Sequence, residues 1–580
     1  MMESKKLTVE DGLILTAFVL GLAFRLANLG GTALLSPEAD EALKALALAQ
    51  GKVESLGADP GYMMGTGLLF YLFGGTNFLA RFLPALLGSL LILSPLLVRK
   101  SLGRIPSLLL MFGLAIDPGL TAVSRTAGAV MMALSLSILA LGFWQAHKPA
   151  ASGITLGLAL LCGSSFWVGG FSFLLAAVIF WLVQPRKRHT QEDDEESIQA
   201  PTALLEAYTP VEIRRFLIFA AGTFLLAGSG LLLVMRGWGA AISGLISFWQ
   251  GWAAEETVSG GRLLGTLVLY EIFPLILAGV SLFNAIRKHK PLPIFLGVWF
   301  LVSTLMVWLY PARTVSLLVW SLVPLWGLAV HAPARWLDAG VSDRKALAAQ
   351  TALIFIVILY AWQNVLGLVN VEEASQLQLR YLSLGAALAL LVLATLLVGW
   401  GWKPQVARLG LAAGGSLALL LYTVSVLFGA AGLRGEVTAE LWQPEIRGES
   451  WTLLEKTVSE LSLWKLGDSN SLALTVVGKS DPAMVWLLRN HLYVTYTESL
   501  PLDNQAAIII TNDQTRGQLE SAYRGQRFVA REWLDRGSVL SGDVLPYALY
   551  RRATLQQEGL ILWARADIFP SSRVTGTTQN

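Results

Sequence analysis

Long apolar stretches recur along the chain up to about position 432, and short polar or basic segments separate them. A helix needs about 20 apolar residues to cross the hydrocarbon core of a bilayer. By this rule the pattern predicts about 13 transmembrane helices, near 12–29, 79–98, 105–121, 128–145, 152–165, 167–183, 215–235, 263–285, 292–310, 314–332, 347–369, 381–401 and 409–432. The stretch 62–73 has only about 12 residues, so we expect an interfacial or re-entrant helix there.

The pattern changes near Arg434, after which apolar and polar residues mix as they do in a water-soluble domain. Strands are predicted at 472–477, 493–496, 506–511, 528–533 and 559–564, and helices at 483–490 and 515–523. This alternation predicts a small α/β sandwich of roughly 130 residues. The predicted fold class is therefore mainly α, with a polytopic membrane domain over 1–433 and a soluble α/β domain over 434–580.

The distribution of Lys and Arg predicts the orientation of the helices, because short basic loops face the cytoplasm. The basic groups are Lys5 and Lys6, Arg99 to Arg104, Lys148, and the segments 186–188, 287–290, 344–345 and 403–408. If they are all cytoplasmic, the loops 30–78 and 236–262 are external and 184–214 is a cytoplasmic linker. We therefore expect a multi-pass protein of the cell membrane with a cytoplasmic N-terminus and an extracytoplasmic C-terminal domain.

Composition supports the membrane assignment and excludes some function classes. Only 14% of the 580 residues are charged, whereas soluble proteins usually carry about 25%. The net charge of +3 is too small to indicate a nucleic-acid partner. Cys162 is the single cysteine, so no intrachain disulfide can form. The polar start of the chain lacks a small-residue cleavage site, so the first span is interpreted as a retained anchor.

Three carboxylates lie close together after the first span, where Pro37 is followed by Glu38, Asp40 and Glu41. Proline and acids are favoured in the first turn of a helix, so one interpretation is only a stabilised helix start. The alternative is that one carboxylate faces a cavity and acts as a general base or holds a divalent cation. Asp40 and Glu41 lie about 100° apart on a helix, so only one of them is expected to reach a given reacting atom.

Several segments around these acids resemble the GT-C superfamily of polytopic glycosyltransferases. They read PEADEALKALALAQG, DPGYMMGTGLLFYLFGGTNFLARFLPALLG, RKSLGR and AIDPGLTAVSRTAGAVMMALSLSILALGFW. The superfamily includes protein O-mannosyltransferases, the aminoarabinose transferase of lipid A and the catalytic subunit of oligosaccharyltransferase. The chain looks most like the prokaryotic branch named after an archaeal flippase-associated protein.

The resemblance implies an enzyme that moves a sugar from a polyprenyl-phosphate carrier to an acceptor at the external face, with membrane lipids as its surroundings. It maps the catalytic acid onto Asp40, with Glu41 beside it, and makes Asp40 a ligand for Mg or Mn if a divalent cation takes part. Donor sugar and acceptor are not specified.

The chain departs from the family pattern at three places. Ala39 stands where relatives often have His, Met63-Met64-Gly65 replaces a His-Gly-Pro-like run, and no acid follows Ser124-Arg125. Asp117 lies seven residues before Ser124, and Glu255 and Glu256 are further candidates for a second acid. A catalytically degenerate scaffold in surface-glycan assembly therefore stays open as an alternative, and so does a flippase or transporter.

Arginines near predicted external helix ends are candidates for binding the phosphate of a lipid carrier, since guanidinium groups pair with phosphate through several donors. These are Arg81, Arg125, Arg236, Arg262 and Arg313. Arg125 and Arg313 are the preferred pair. The alternative is that these side chains only extend to lipid headgroups.

Overall fold

The computed structural model describes residues 8–52, 56–183, 208–230, 237–340, 343–369, 371, 373–434, 440–443, 445–500, 506–513, 522–534 and 544–569. A long helical part precedes a small domain built on a sheet. Most of the predicted linker 184–214 lies outside the described residues, and so does Arg236.

The helical part begins with a helix at the predicted first span and continues through two helices in the segment 30–78. In chain order its helices are α1 (Val9–Leu26), α2 (Ser36–Ala49), α3 (Pro60–Phe73), α4 (Asn77–Leu91), α5 (Ser94–Leu97), α6 (Arg99–Leu102), α7 (Arg104–Ile116), α8 (Pro118–Ser124), α9 (Val130–Gln145), α10 (Pro149–Leu160), α11 (Gly163–Val183), α12 (Pro210–Gly228), α13 (Gly237–Gln250), α14 (Gly260–Tyr270), α15 (Ile272–Arg287), α16 (Pro291–Leu309), α17 (Val319–Ala329), α18 (His331–Asp338), α19 (Arg344–Leu368), α20 (Ala374–Gly401) and α21 (Pro404–Ala430).

Among the described residues, seven helices are long and apolar enough to cross a membrane, or nine if two bent pairs are each one span. The predicted count of about 13 is therefore not confirmed. Part of the difference comes from short apolar helices such as Val130–Gln145 and Pro149–Leu160. Another part comes from charge, because α1 carries Glu10, Asp11 and Arg25. The protein is a multi-pass membrane protein, and the short apolar stretch near Tyr62 forms the 14-residue helix α3.

Two spans are broken, and each break carries an acid. The pair α7 and α8 bends by 56° at Asp117, and the pair α14 and α15 bends by 83° at Glu271. Both carboxyl groups are fully buried and interact with each other. Asp117 accepts hydrogen bonds from the amide of Leu120 at 2.5 Å and from Nε1 of Trp326 at 2.6 Å. Proline at the start of α8 explains the first break, because it cannot continue the preceding helix without losing a hydrogen bond.

The C-terminal domain contains a sheet of five strands in the described part of the chain. Its elements are α22 (Glu449–Leu466), β1 (Leu474–Val477), α23 (Pro482–Leu487), β2 (Val494–Thr497), β3 (Ile508–Asn512), β4 (Tyr523–Leu534), α24 (Val544–Tyr550) and β5 (Leu555–Arg565). The strand order is β2-β1-β3-β5-β4, with β1 parallel to β2 and β3 and the other pairs antiparallel. The small C-terminal sheet is thus confirmed. The helix predicted at 515–523 lies mostly outside the described residues, and Tyr523 begins a strand.

The C-terminal domain is fastened to the start of α2 and to the start of α4. Nη2 of Arg447 donates to Asp481 at 2.8 Å and to Oγ of Ser36 at 2.7 Å. Trp486 donates from Nε1 to Asn77 at 2.8 Å. Its ring also lies 5.8 Å from that of Phe70. The domain therefore covers the end of the helical part at which the acidic segment lies.

Candidate functional site

The carboxylate of Glu38 is fully hydrogen-bonded and holds the acidic segment in place, so it is not a free charge. Its Oε1 accepts from Nε of Arg81 and from the amide of Ala127, both at 2.8 Å. Its Oε2 accepts from the amide of Leu35 at 3.0 Å and from Nη2 of Arg81 at 2.7 Å. These four bonds fill the acceptor positions of a carboxylate. Glu38 therefore joins α2, α4 and the turn after α8.

Arg81 is buried in the same arrangement. Its Nη1 donates to the carbonyl of Leu29 and to Thr32, and its Nη2 also donates to the carbonyl of Ala33. All three guanidinium nitrogens are engaged. Arg81 therefore has no free N–H group with which to bind phosphate, as had been predicted for it, in this conformation.

Asp40 and Glu41 share one cation. Nζ of Lys44 is 2.7 Å from Oδ2 of Asp40 and 2.9 Å from Oε1 of Glu41. The Asp40 side chain is 50% exposed, whereas Oε2 of Glu41 is buried without a hydrogen-bond partner among the described residues. Since Glu38 and Asp40 are separated by about 200° around the helix, one side chain cannot replace the other.

A metal ion does not fit this pair of acids. The Lys44 ammonium already lies between the two carboxylates, where a divalent cation would have to bind. Within the described ranges, no group of three or more His, Cys, Asp or Glu side chains could hold a metal ion. We therefore derive no step through Mg or Mn.

Asp59, just before α3, is a further acid beside Glu41. Burial, and next the negative charge of Glu41, raise the pKa of Asp59 to about 7, against a smaller opposing effect of Lys44. Asp59 was not predicted as a site residue, because it is 18 positions after Glu41 and the sequence pattern does not show that the two side chains are close. Asp59 therefore changes its charge near neutral pH.

A cavity of about 370 Å³ lies beside Glu38, between the ends of α1, α8 and α21 and the first residues of the C-terminal domain. Arg125 and Arg434 line it, together with Glu440 and the Glu38–Arg81 pair. We call it the arginine cavity. Asp40 and Glu41 do not line it.

Arg125 brings an incompletely paired positive charge to the arginine cavity. Its Nη1 donates to the carbonyls of Phe24, Arg25 and Ala27 at 3.0, 3.1 and 2.7 Å, which closes the C-terminal end of α1. Its Nε and Nη2 donate to no described residue. Burial, and next the charge of Arg81, lower the pKa of Arg125 to about 10. The group stays charged at neutral pH, and an anion in the cavity would stabilise it.

Arg434 supplies the second guanidinium group. Its Nη2 donates to the carbonyl and hydroxyl of Ser425 at 2.6 and 3.1 Å. Arg434 was not among the predicted site residues, although its position immediately after the last apolar stretch is a signal that could have identified it.

The other predicted arginines have structural partners away from this cavity. Arg313 pairs with Glu256 and donates to the carbonyl of Val258 at 2.7 Å. Arg262 donates from Nη2 to the carbonyls of Leu441 and Gln443, at 3.0 and 2.5 Å. Neither lines the arginine cavity. The structure therefore unites Arg81 and Arg125 but leaves Arg262 and Arg313 in other contacts.

Solved structures give the fold a counterpart. A scan against protein-family models finds no match, and a search of curated proteins finds none either. ArnT of Cupriavidus metallidurans bound to undecaprenyl phosphate superposes with a TM-score of 0.52 at 15% identity, over 87% of this chain and 92% of ArnT. ArnT is an aminoarabinose transferase of the GT-C superfamily. The chain has the GT-C fold.

Two further solved structures match this chain. The apo form of ArnT gives a TM-score of 0.53 at 14% identity, over 87% of this chain and 94% of ArnT. The oligosaccharyltransferase AglB of Archaeoglobus fulgidus gives 0.41 at 11% identity, over 88% of this chain and 70% of AglB, which is too distant to add to the argument. The GT-C fold is established by ArnT, and activity has to be argued from the residues.

Proposed function

We propose that this protein is a membrane glycosyltransferase that takes a sugar from a polyprenyl-phosphate donor and transfers it to an acceptor at the external face. The arginine cavity is the observation that carries the proposal. It places the guanidinium groups of Arg125 and Arg434 at one concave surface, and the GT-C fold is that of a protein crystallised with undecaprenyl phosphate.

In the proposed reaction, an acceptor hydroxyl attacks the anomeric carbon of the donor sugar. The bond from that carbon to the phosphate oxygen breaks, and polyprenyl phosphate leaves with the bonding electrons. Arg125 and Arg434 stabilise the negative charge that develops on the phosphate, because preoriented donors in a dry site act strongly on developing charge. A hexose or a pentose fits this chemistry equally.

The proton of the acceptor goes to a carboxylate of α2. Glu38 is a poor base because Arg81 and two amides occupy its acceptor positions. We propose Asp40 as the base, with Glu41 beside it, since each keeps an oxygen without a hydrogen bond to a described residue. Because neither acid lines the arginine cavity, a water molecule has to carry the proton from the attacking hydroxyl to Asp40.

The proposed orientation follows the loop charges, with the N-terminus in the cytoplasm and the C-terminal domain outside. The arginine cavity then opens at the external face, where the fastened C-terminal domain covers it. This placement supports a role of the domain in enclosing the site.

The two alternative functions, a scaffold and a transporter, predict different structural features. A catalytically degenerate scaffold would need no charged cavity, whereas charged side chains line this one. A transporter often has broken helices near its substrate path, and this chain has two. However, Asp117 and Glu271 at those breaks are fully buried and do not line the arginine cavity.

The proposal is tested by sugar transfer in proteoliposomes supplied with undecaprenyl-phosphate hexoses and pentoses. We expect transfer by the wild type and a loss of about 100-fold in Arg125→Gln, the scale seen when one preoriented donor to a developing oxyanion is removed. Asp40→Asn should lose about 100-fold or more if it is the base. Arg408→Gln, an exposed arginine of α21, is the control.

Three results would overturn parts of the proposal separately. Unchanged transfer in Arg125→Gln would remove the arginine cavity from the reaction. Unchanged transfer in Asp40→Asn, with a loss in Glu41→Gln, would move the base to Glu41. Translocation of the lipid without any transfer would favour the flippase.

A further inference from the structure

A second concave surface lies between α18, α19 and α21. It encloses about 680 Å³ and is lined by apolar side chains that include Trp336, Leu337, Leu347, Phe355 and Leu417. This volume falls within the range of about 300–1,000 Å³ typical of small-ligand pockets. We call it the α18–α19 crevice.

The crevice exists because the helices around it diverge. The chain leaves α18 at Ala339 and Gly340, and α19 then packs against α20 and α21 instead of α18. Ala348 and Ala352 form part of the wall on α19, and their short side chains leave the space open. Apolar walls that face each other across a gap lose their dispersion contacts unless another apolar group enters. In a bilayer, the apolar group that can enter the gap is the hydrocarbon chain of a lipid.

One rim of the crevice carries a positive charge. Arg344 lines it as the first residue of α19, is exposed, and pairs with no described carboxylate. Arg335 directly precedes the α18 wall, but its Nη2 is buried and it does not line the crevice. Two acids lie near this rim. Asp343 accepts from the amide of Ala346 at 3.0 Å and from Nε1 of Trp402 at 3.1 Å, and Asp338 is exposed at the end of α18.

The crevice is separate from the arginine cavity. Gln405, at the start of α21, bonds the carbonyl of Gly340 at the crevice rim, whereas Ala430, at the other end of α21, lines the arginine cavity. A helix of this length separates its two ends by about 40 Å, which is the thickness of a bilayer with its headgroups. The crevice rim therefore meets the opposite membrane surface from the arginine cavity.

We propose that the α18–α19 crevice binds one anionic phospholipid. An acyl chain fills the apolar crevice, and the phosphate lies against Arg344. The match of an apolar space with an exposed arginine at its rim identifies this occupant, since basic pockets between membrane helices attract anionic headgroups. The proposal is independent of the sugar-transfer reaction.

The experiment is native mass spectrometry of the full chain extracted from nanodiscs that contain equal phosphatidylglycerol and phosphatidylcholine. We expect retained phosphatidylglycerol to exceed phosphatidylcholine, and Arg344→Gln to reduce that excess about fivefold, the contribution of one basic side chain near an anionic headgroup. Ala348→Trp, which fills the space from an exposed position on α19, should abolish retention of either lipid. Arg408→Gln should leave retention unchanged.

Equal retention of both phospholipids by the wild type would overturn the proposal, because the basic rim would then play no part. Undiminished phosphatidylglycerol in both Arg344→Gln and Ala348→Trp would overturn it as well, because the lipid would be bound elsewhere. Arg344 is exposed, so its variant is expected to fold even if Ala348→Trp does not.

Discussion

Glu38, Asp40 and Glu41 occupy one short segment, yet each has a different environment. The sequence locates the segment and predicts a helix start there, and α2 begins at Ser36. It cannot show that Glu38 pairs with Arg81, because that partner is 43 positions away and the contact depends on how α4 packs. The assignment of Asp40 as the catalytic acid comes from the family resemblance and stays a prediction.

The Glu38–Arg81 pair should be a main determinant of stability. Glu38→Ala leaves the buried guanidinium of Arg81 without its counter-charge, and breaking one partner of a buried pair costs about 3–5 kcal/mol. Thermal unfolding in detergent should show a lower midpoint than for the wild type. The double variant Glu38→Leu/Arg81→Met should recover much of the loss, and no recovery would contradict the pairing argument.

Asp59 should make stability depend on pH. Its pKa is raised to about 7 in the folded protein by burial and by Glu41, from an unfolded value of about 3.9. Between these values the folded state binds more protons, so its stability falls as pH rises from about 4 to 7 and is then constant. Asp59→Asn should flatten that part of the curve of melting temperature against pH. An unchanged slope would contradict the shift.

The two broken spans have bends that hydropathy cannot predict. The stretches 105–121 and 263–285 are apolar enough to be predicted as spans, but the bends at Asp117 and Glu271 come from tertiary contacts. Both acids are fully buried, and neither oxygen of Glu271 has a hydrogen-bond donor among the described residues. Hydropathy carries no information about such a contact between two acids in different helices.

Variants of this acid pair should differ in their effect on stability. Asp117→Leu leaves the amide of Leu120 and Nε1 of Trp326 unpaired, at about 1–3 kcal/mol for each buried group. Glu271→Gln should be milder, because its amide can donate to Asp117. Melting temperatures of the two variants measure these losses of stability. A larger fall in melting temperature for Glu271→Gln than for Asp117→Leu would contradict the proposed contacts of the two acids.

At the scale of the whole molecule, the division into apolar helices and a small sheet domain was accessible from the sequence because hydropathy and strand patterns are local. The contact of the C-terminal domain with the acidic segment could not be predicted from the sequence, because its residues come together only after folding. They are Ser36, Asn77, Arg447, Asp481 and Trp486. Arg125 was predicted because it lies near the external end of a predicted span, whereas Arg434 was missed, although both line the arginine cavity.

The most direct test of the central claim is binding of undecaprenyl phosphate to the purified protein in nanodiscs. We predict saturable binding that weakens about tenfold or more in Arg125→Gln/Arg434→Gln, since charge-assisted bonds to phosphate are about twice as strong as neutral ones. Arg313→Gln, which removes an arginine outside the arginine cavity, should bind like the wild type. Equal affinity in the wild type and the double variant would contradict the account.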